Sequence, residues 1–421
     1  MNLIKFCKDL YTIPRSLTGR GVVKTLEYIK EIIPIEIKHV QSGSKAFDWT
    51  VPPEWNIKDG YIIDLETGKK IIEFSNHNLH VIAYSDSVDK IIDYNELFEH
   101  LYYLENQPKA IPYITSYYSK EWGFCMTYEQ FKSLNKKSKY RVFIDSEFKD
   151  DGFLSYGELY LKGKSDQEIF FSSYICHPQM VNNELSGPAI LTGLAEYLIK
   201  QDNYYSYRFV LVPETIGSIV YLSQHLKLLK KKVIGGYNLT CLGDERSWGL
   251  VPSRYGNNIS DEIAEYVLNT KGIDYIKYSW LDRGSDERQY CSPGVDLPIS
   301  SVTRSKYREY PEYHTSLDNF KLVTNKGLKE SLEFYLECIN LFEQNRFKPR
   351  MNVYCEPQLG KRGLYPNIST EESSEIIRNM LNFISYCDGT NSILEISKLC
   401  KISFKESYNY FTKIRDNGLI I

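Results

Sequence analysis

The chain has 421 residues and lacks the features that mark several common classes of protein. No stretch approaches the roughly 18–20 consecutive apolar residues of a membrane-spanning helix, so no membrane span is expected. The opening segment is interrupted by Lys5, Lys8 and Asp9 and does not resemble a signal peptide. The nine cysteines are scattered, odd in number and without a CxxC pair. They are typical of reduced, mostly buried thiols, which indicates a cytoplasmic protein.

No charge of one sign dominates the chain, since 51 Lys and Arg residues stand against 54 Asp and Glu residues. The composition therefore gives no reason to expect nucleic acid or a membrane surface as a partner. Tyrosine, by contrast, is abundant at 35 residues. Tyrosine suits the walls of pockets and interfaces, although a compositional bias of the source genome explains its abundance equally well. The length is sufficient for two or three domains, each with its own core.

Changes in the pattern of apolar residues divide the chain into segments. The first forty residues have apolar positions at helical spacing, and residues 46–125 show the alternation, paired prolines and turns of β-structure. From about residue 140, buried-type strands alternate with amphipathic helices, which predicts a mostly parallel sheet covered on both faces. We predict an α/β domain of residues 1–45 and 126–348, with a β-rich subdomain, 46–125, inserted in it.

Residues 349–421 follow a different pattern, with three short amphipathic segments that predict a helix-turn-helix or winged-helix domain. From Thr370 to Ile421 there are six Lys or Arg residues and seven Asp or Glu residues. DNA-reading domains normally present a basic face, so packing, dimerisation or protein docking is expected in preference to DNA binding. A transcription regulator with a ligand-sensing domain fits the architecture but not this neutral tail.

Polar side chains of metal-ligand type follow the predicted strands of the α/β domain. His177 follows the strand FFSSYI, Glu214 follows FVLV, Asp244 follows YNLTCL and Asp286 follows YIKYSW, while His314 lies beyond the strand ISSVT. Open α/β sheets bind ligands at the carboxyl ends of their strands, and zinc selects histidine and carboxylate ligands. Each residue alone is more often structural, but their joint position predicts a site at this edge of the sheet.

One loop of this edge leads directly into a predicted helix, SGPAILTGLAEYLIK. Ser186 is the predicted N-cap of this helix, because a serine oxygen accepts a hydrogen bond from the first free N–H groups. Gly187 is expected to let the helix pack closely on the sheet.

The chain contains, in order, the motifs CHPQMVNNELSG, PETIGS, GD, RGSDERQ and YHTSLDN. They resemble those of the zinc aminopeptidase clan, which includes co-catalytic bacterial aminopeptidases and glutaminyl cyclases. Over essentially its full length, the chain resembles bacterial aminopeptidase-like proteins with a C-terminal winged helix and an inserted β-rich domain that opens with DWTVPPEWN. Such proteins are often labelled polysaccharide-biosynthesis proteins with an aminopeptidase-like domain. The resemblance implies a zinc-aminopeptidase-like α/β/α sandwich.

The resemblance also implies a set of metal ligands. His177 falls on the first zinc histidine of the clan, His314 on the last, and Glu214 on the zinc-binding member of a Glu-Glu pair. Asn183 falls where the clan has the aspartate that bridges two metals, and Asp244 lies a few residues beyond a further ligand. A neutral amide cannot offset the repulsion between two close zinc ions, so one zinc ion per chain is expected, with Asp244 or Asn183 completing the set.

The general base of the clan is missing, because Pro213 stands in its place. Hydrolysis of a peptide needs a group that accepts a proton from the attacking water. Glu184, Asp286 and Glu287 are the remaining acids near the site in sequence. Glu184 is the first choice for the catalytic base because it shares a loop with His177, and Asp286 is the second candidate.

Several arginines near the motifs are candidates for binding a substrate carboxylate, since a guanidinium grips a carboxylate with two hydrogen bonds. Arg283 and Arg304, together with Glu287, are the predicted substrate-binding residues, and Arg288 and Arg308 are further candidates. Surface charge at the sheet edge explains these arginines equally well.

Two hypotheses about function follow. The first is a mono-zinc hydrolase that cleaves an amide next to a free amino group in a small peptide or aminoacyl conjugate. Its role in surface-glycan biosynthesis is suggested only by the labels of similar proteins. The second is a non-catalytic binding or scaffold protein with a degenerate site, whose insert and winged helix bind partners. The missing base favours the second hypothesis and the retained ligands favour the first; a homo-oligomer is compatible with both.

Overall fold

The computed structural model describes residues 1–365 and 371–420 of the chain. It divides into two compact units, Met1–Leu336 and Glu337–Ile421, with the division inside a long helix. The sequence predicted the end of the α/β domain after that helix, at residue 348. No helix in the described part of the chain combines the length and apolar character that crossing a membrane would need.

The strands of the described residues are numbered in chain order. They are β1 Glu36–Gln41, β2 Lys45–Ala46, β3 Trp49–Thr50, β4 Glu54–Asp64, β5 Lys70–Glu73, β6 Val88–Ile92, β7 Leu101–Tyr102, β8 Phe124–Cys125, β9 Tyr140–Lys149, β10 Phe153–Leu161, β11 Glu168–Tyr174, β12 Ser206–Val212, β13 Val233–Asn238, β14 Gly249–Val251, β15 Ile276–Lys277 and β16 Ile299–Thr303.

The α-helices are numbered in the same way. They are α1 Leu3–Leu10, α2 Arg20–Lys30, α3 Tyr94–Phe98, α4 Tyr128–Lys132, α5 Ser186–Leu198, α6 Ile216–Lys232, α7 Ile259–Thr270, α8 Glu287–Tyr290, α9 Asn325–Gln344, α10 Glu371–Ser385, α11 Ile393–Cys400 and α12 Phe404–Asp416.

The first unit is built on an eight-stranded sheet with the order β1-β10-β12-β11-β13-β16-β14-β15. The central strands β12, β11, β13 and β16 run parallel to one another. Antiparallel pairings add β10 and β1 on one side and β14 on the other. All seven residues of β11 and of β12 are buried, as expected for strands covered on both faces. The predicted mostly parallel α/β sheet is confirmed.

Alternating residues of β11 face opposite sides of the sheet. Phe170 contacts the ring of Tyr221 on α6. Its neighbour Phe171 contacts Tyr237 of β13, which in turn contacts Tyr335 of α9. Because successive side chains of a strand point to opposite faces, the sheet lies between two layers of helices.

A second sheet, with the order β5-β4-β9-β6, forms the inserted subdomain. Its central strand β4 pairs with β9 from Glu54, opposite Lys149, to Asp64, opposite Tyr140. The subdomain therefore includes residues up to Lys149, whereas the sequence predicted its end at residue 125 and assigned this strand to the α/β domain. The alternation of a strand predicts its buried face but not the sheet it joins, which explains the difference.

The second unit contains the three helices that the tail predicted. Ser392 caps α11 in a capping box, and Ser403 caps α12. Ile396 of α11 and Phe411 and Ile414 of α12 are buried, which gives this unit a small apolar core.

Helix α5 lies close against the sheet at Gly187, as predicted. A Cβ atom at this position would lie 2.3 Å from Ser173 Oγ and 2.4 Å from the carbonyl oxygen of Leu239. Contacts this short do not occur with a real Cβ, so a residue without a side chain is required here.

Gly187→Ala is expected to lower the free energy of unfolding by about 1–3 kcal/mol, because the methyl group overpacks a rigid contact. Gly193→Ala in the same helix is the control, since its Cβ would meet only the ends of the flexible Leu332 and Leu3 side chains, at 3.3 and 3.5 Å. The control is expected to change the stability by less than about 1 kcal/mol. Urea denaturation followed by circular dichroism measures both variants, and equal stability of the two would contradict the packing argument.

Candidate metal centre

The loop after β11 carries the first candidate ligand. Cys176 and His177 leave the carboxyl end of the strand and are buried. The chain turns at Gln179, which has a left-handed backbone with a φ of 49°, and then forms a π-helical turn over Val181–Leu185 before α5. Such π-turns next to α-helices frequently occur at functional sites.

The Asp318 carboxylate satisfies the backbone of this π-turn. It accepts hydrogen bonds from the N–H groups of Val181, Asn182 and Asn183 at 3.1, 2.6 and 2.9 Å. The Tyr310 hydroxyl donates a fourth hydrogen bond to Asp318 at 2.9 Å. Asp318 belongs to the same loop as the candidate ligand at residue 314, so its carboxylate joins two segments of the site.

The prediction that Ser186 caps α5 was wrong. Its hydroxyl donates to the carbonyl oxygen of Asn182 and accepts a hydrogen bond from the N–H of Leu242. The π-turn extends the helical backbone ahead of Ser186, so the free N–H groups lie earlier in the chain. They are reached by Asp318, which is distant in sequence, and no local pattern could predict this.

His177, Glu214 and His314 come together at the carboxyl edge of the sheet. His177 Nε2 lies 3.7 Å from Glu214 Oε2, and the ring centroids of His177 and His314 are 5.2 Å apart. His314 Nε2 is buried and has no hydrogen-bond partner in the described parts of the chain. The structure thus brings three predicted ligands from three separate segments into one cluster.

Burial holds both histidines in the neutral form. It lowers the pKa of His177 to about 3, and the positive charge of Arg15 acts in the same direction. It also lowers the pKa of His314 well below its usual range. Burial and the neighbouring Asp286 carboxylate raise the pKa of Glu214. Neutral imidazoles are the form that binds metal ions, and a cation would offset the cost of burying a carboxylate here.

Glu184 lies on the other side of the His177 ring. Its Oε2 is 3.1 Å from His177 Nδ1, and its Oε1 is 3.6 Å from Arg15 Nε. Arg15 also donates to the His177 carbonyl oxygen at 3.1 Å. Burial raises the pKa of Glu184 to about 8, against the opposing charge of Arg15. A carboxylate on the second ring nitrogen orients a metal-binding histidine. This placement favours a positioning role for Glu184 over the predicted role of base.

Cys176, His177 and Glu184 form a second close group, with one ligand atom of each within 4.8 Å of the others. Cys176 Sγ lies 3.4 Å from His177 Nδ1 and accepts the N–H of Glu214 at 3.2 Å. Burial raises the pKa of this thiol well above its usual value, and a protonated thiol is a poor metal ligand. The Nε2 side of His177 is therefore the better candidate for a metal.

Two further predicted residues have buried oxygen atoms without a partner. Asn183 donates from Nδ2 to the Tyr174 hydroxyl at 2.8 Å, while its Oδ1 accepts no hydrogen bond in the described residues. Asp286 Oδ1 accepts from the N–H of Thr215 and the hydroxyl of Ser218, both at 2.8 Å, and its Oδ2 is likewise unpartnered. Such atoms are costly to bury unless water, an ion or a substrate satisfies them.

Asp244 and Glu287 are not brought into the cluster. Asp244 accepts hydrogen bonds from the N–H and the hydroxyl of Ser305 at 3.0 and 2.8 Å and from the N–H of Arg246 at 2.9 Å. Glu287 accepts the Tyr307 hydroxyl at 2.5 Å. Neither carboxylate lines the cavity beside the cluster, and both connect neighbouring loops.

Of the arginines predicted to bind substrate, some line the cavity and others do not. Arg283 is exposed and lies over the Trp280 ring, 5.0 Å from its centroid. Arg304 is paired with Glu330 at 2.8 Å. Neither lines the cavity, whereas Arg288, a further candidate from the same motif as Arg283, does.

The cluster opens into a cavity of about 420 Å³. One wall consists of residues from the inserted subdomain, to which the sequence analysis assigned no chemical role. The backbone N–H of Tyr113 in this subdomain donates to the His314 carbonyl oxygen at 2.8 Å, which holds the wall against the cluster. The abundance of tyrosine was the only sequence signal of this wall. Its lining residues are Trp49, Tyr113, Thr115, Tyr117 and Tyr118.

The side chains of the cluster fit a zinc ion. Two neutral imidazoles and a carboxylate are a typical ligand set of catalytic zinc, which leaves a further position open. The unpartnered His314 Nε2 and Asn183 Oδ1 are the kind of buried atoms that a bound cation would satisfy.

A mostly parallel sheet between two helical layers, with this cluster at its carboxyl edge, defines an aminopeptidase-like α/β protein. A zinc aminopeptidase from Bacillus subtilis has a similar fold, with a TM-score of 0.56, 11% identity and coverage of 81% of this chain and 94% of that one. An aminopeptidase from Aneurinibacillus sp. strain AM-1 matches with a TM-score of 0.51, 14% identity and coverage of 81% and 93%. At these identities the likeness concerns the fold alone.

The family model described as a domain of unknown function, DUF4910, matches residues 4–345, and a winged helix-turn-helix model matches residues 347–421. The chain belongs to the DUF4910 family and carries a C-terminal winged helix.

Relatives of high coverage come from Clostridium acetobutylicum. One protein, provisionally named as a polysaccharide biosynthesis protein with an aminopeptidase-like domain, is 42% identical over 405 residues, or 96% of this chain and 92% of its own. A crystal structure of a provisionally named peptidase from that organism matches with a TM-score of 0.92 and 40% identity, covering 100% of this chain and 95% of that one. The resemblance inferred from the motifs is confirmed.

Asp318→Asn is expected to lower the free energy of unfolding by about 1.5–3 kcal/mol, because it removes the charge that three backbone N–H groups share. Asp166→Asn is the control, since that side chain is 76% exposed, and it is expected to change the stability by less than about 0.5 kcal/mol. Urea denaturation measures both. Wild-type stability of Asp318→Asn would show that the carboxylate does not hold the π-turn.

Proposed function

We propose that the protein is a metal-dependent hydrolase that binds one zinc ion and cleaves an amide bond in a small peptide or aminoacyl conjugate, next to a free amino group. The observation that carries the proposal is the convergence of His177, Glu214 and His314 on the floor of one cavity. The aminopeptidase-like fold supports the same class of reaction.

His177, Glu214 and His314 would hold the metal. A zinc ion held there supplies Lewis acidity toward a carbonyl oxygen and toward water. Asn183, with its unpartnered Oδ1, is the neutral side chain that would complete the ligand set. Two observations support a single ion. Asn183 carries no charge, and Asp244 already accepts hydrogen bonds from Ser305 and Arg246.

The protein side chains divide the remaining work between orientation and proton transfer. Glu184 and Arg15 fix the His177 imidazole from behind. Asp286 keeps one oxygen without a partner, and its charge adds to burial in raising the pKa of Glu214. Asp286 is fully buried and does not line the cavity, so it would accept a proton only through an intervening group and not by direct contact with a substrate.

A non-catalytic binding protein is the second candidate. It is favoured by Pro213, which stands where the zinc aminopeptidase clan has its base. It is also favoured by the scarcity of acidic residues in the cavity wall. Among the described residues that line the cavity, Glu214 alone is a carboxylate. In this case the cavity would hold a ligand without turning it over.

The proposed cellular setting follows from the name of a relative and from the state of the cysteines. The name of the Clostridium acetobutylicum relative supports a role in polysaccharide biosynthesis. All nine cysteines are free thiols, which supports a reducing compartment such as the cytoplasm. We do not assign a nucleic-acid partner to the winged helix, because its segment is not basic.

The purified protein is expected to contain about one zinc ion per chain, because the cluster offers the ligands of one catalytic site. His177→Ala and His314→Ala are expected to lose the metal. His225→Ala is the control, since this histidine lies on α6 and contacts Tyr156 outside the cavity. Mass spectrometry of metal content, before and after mild chelation, measures the effect.

Unchanged metal content in His314→Ala would show that the ligand assignment is wrong. Absence of metal from the wild-type protein, with no gain in thermal stability on adding zinc, would favour the binding-protein hypothesis.

Glu184→Gln and Asp286→Asn are expected to separate positioning from proton transfer. Glu184→Gln should weaken zinc binding by about 10- to 100-fold, because it loosens the support of a ligand histidine. Asp286→Asn should keep zinc and lower kcat on an aminoacyl amide by about 100-fold or more. Competition with a chelator measures the first effect and steady-state kinetics the second. Normal zinc affinity with abolished turnover in Glu184→Gln would identify Glu184 as the base instead.

A further inference from the structure

One charged side chain of the cavity, Arg288, has no role in the proposed metal site. In the proposed function, the metal takes Glu214 and the two histidines, which leaves Arg288 as the remaining charged group among the described lining residues. Its Nη2 donates to the Thr215 hydroxyl, and its buried Nε has no hydrogen-bond partner. Burial raises the pKa of Glu214 and Asp286 and the charge of Arg288 opposes this rise, but neither carboxylate is within ion-pair distance of the guanidinium. A guanidinium is the group best suited to a bidentate contact with a carboxylate.

The opposite wall is aromatic. Tyr113 and Tyr117 line it, and their hydroxyl groups are hydrogen-bonded to each other at 2.7 Å. Trp49 and Tyr118 stand at the rim with their ring centroids 6.3 Å apart in an edge-to-face arrangement. Rings placed in this way favour flat apolar groups, which bury large surfaces and pack edge-to-face or offset.

Both rim aromatics are exposed, and one of them, Tyr118, has a strained backbone. Trp49 is 40% exposed and Tyr118 59% exposed, although both are large and partly apolar. Tyr118 also has a left-handed backbone, with a φ of 66°, which is unfavourable for a residue with a side chain. Exposed aromatic rings beside a pocket, on strained backbone, are typical of a binding surface and not of a folding core.

We propose that the cavity selects a small anionic substrate in which a carboxylate lies next to a flat aromatic or apolar group. Arg288 binds the carboxylate, and Trp49, Tyr117 and Tyr118 enclose the ring. A dipeptide-sized conjugate with a C-terminal aromatic residue has this chemistry, and a cavity of about 420 Å³ is in the size range of small-molecule sites. This assignment rests on the proposed function, because it takes the scissile amide to lie at the metal cluster.

The test compares hydrocinnamate with its carboxamide, neither of which has the free amino group that the proposed reaction requires. Their affinities for the full-length protein are measured by isothermal titration calorimetry. We expect the wild-type protein to bind the carboxylate about 10- to 100-fold more tightly than the amide, since a hydrogen bond to a charged group is worth about 1.5–3 kcal/mol. Arg288→Met should abolish this preference and Arg288→Lys should retain part of it.

Further variants distinguish the contribution of the Arg288 charge from that of the aromatic wall. Arg283→Met removes an exposed arginine of the same motif outside the cavity and is expected to leave both affinities unchanged. Trp49→Ala and Tyr118→Ala are expected to weaken both probes by a similar factor. Thermal melts of each variant verify that it is folded.

Equal binding of the two probes by the wild-type protein, or binding of neither, would overturn the proposal. So would a carboxylate preference that survives in Arg288→Met but disappears on chelation, because the metal would then be the partner of the carboxylate. If the preference depends on Arg288 but no dipeptide with a C-terminal aromatic residue is cleaved, the hydrolase assignment fails while the specificity of the cavity stands.

Discussion

The candidate site depends on one buried carboxylate, that of Asp318. Asp318 lies four residues beyond His314 in the same loop. Its carboxylate accepts hydrogen bonds from three consecutive N–H groups of the π-turn after β11. Unpaired N–H groups in this interior would cost free energy comparable to lost hydrogen bonds. The same interaction fixes the loop of His314 against the loop of His177. The distance between the two histidines, and with it the capacity to hold a metal, follows from this contact.

Burial then decides the chemistry of the side chains that this contact brings together. Desolvation disfavours charged imidazole, so both histidines are neutral and have lone pairs available for a cation. The pairing of Arg15 and Glu184 behind His177 leaves Nε2 as the free nitrogen on the cavity side. A site with neutral nitrogens and a single carboxylate in its wall, Glu214, suits one divalent ion better than two.

The inserted subdomain is part of the site and not an appendage. Its sheet incorporates β9, the strand that leads directly into the α/β sheet at β10, so the two sheets are joined by a very short connection. The Tyr113 N–H is bonded to the His314 carbonyl oxygen, which places aromatic residues beside the cluster of candidate ligands. The aminopeptidase-like domain thus carries the candidate ligands, and the insert supplies the aromatic wall of the cavity.

The sequence by itself determined the sheet, its helical layers, the winged helix and the place of the three candidate ligands after strands, because these depend on local periodicity and on strand direction. The roles of Glu184 and Asp244 were decided by tertiary structure, since a loop position does not specify which partner a side chain meets. Tertiary structure also decided that an aromatic wall and the Arg288 guanidinium line the same cavity. They come from segments far apart in the chain, and only packing places them around one cavity.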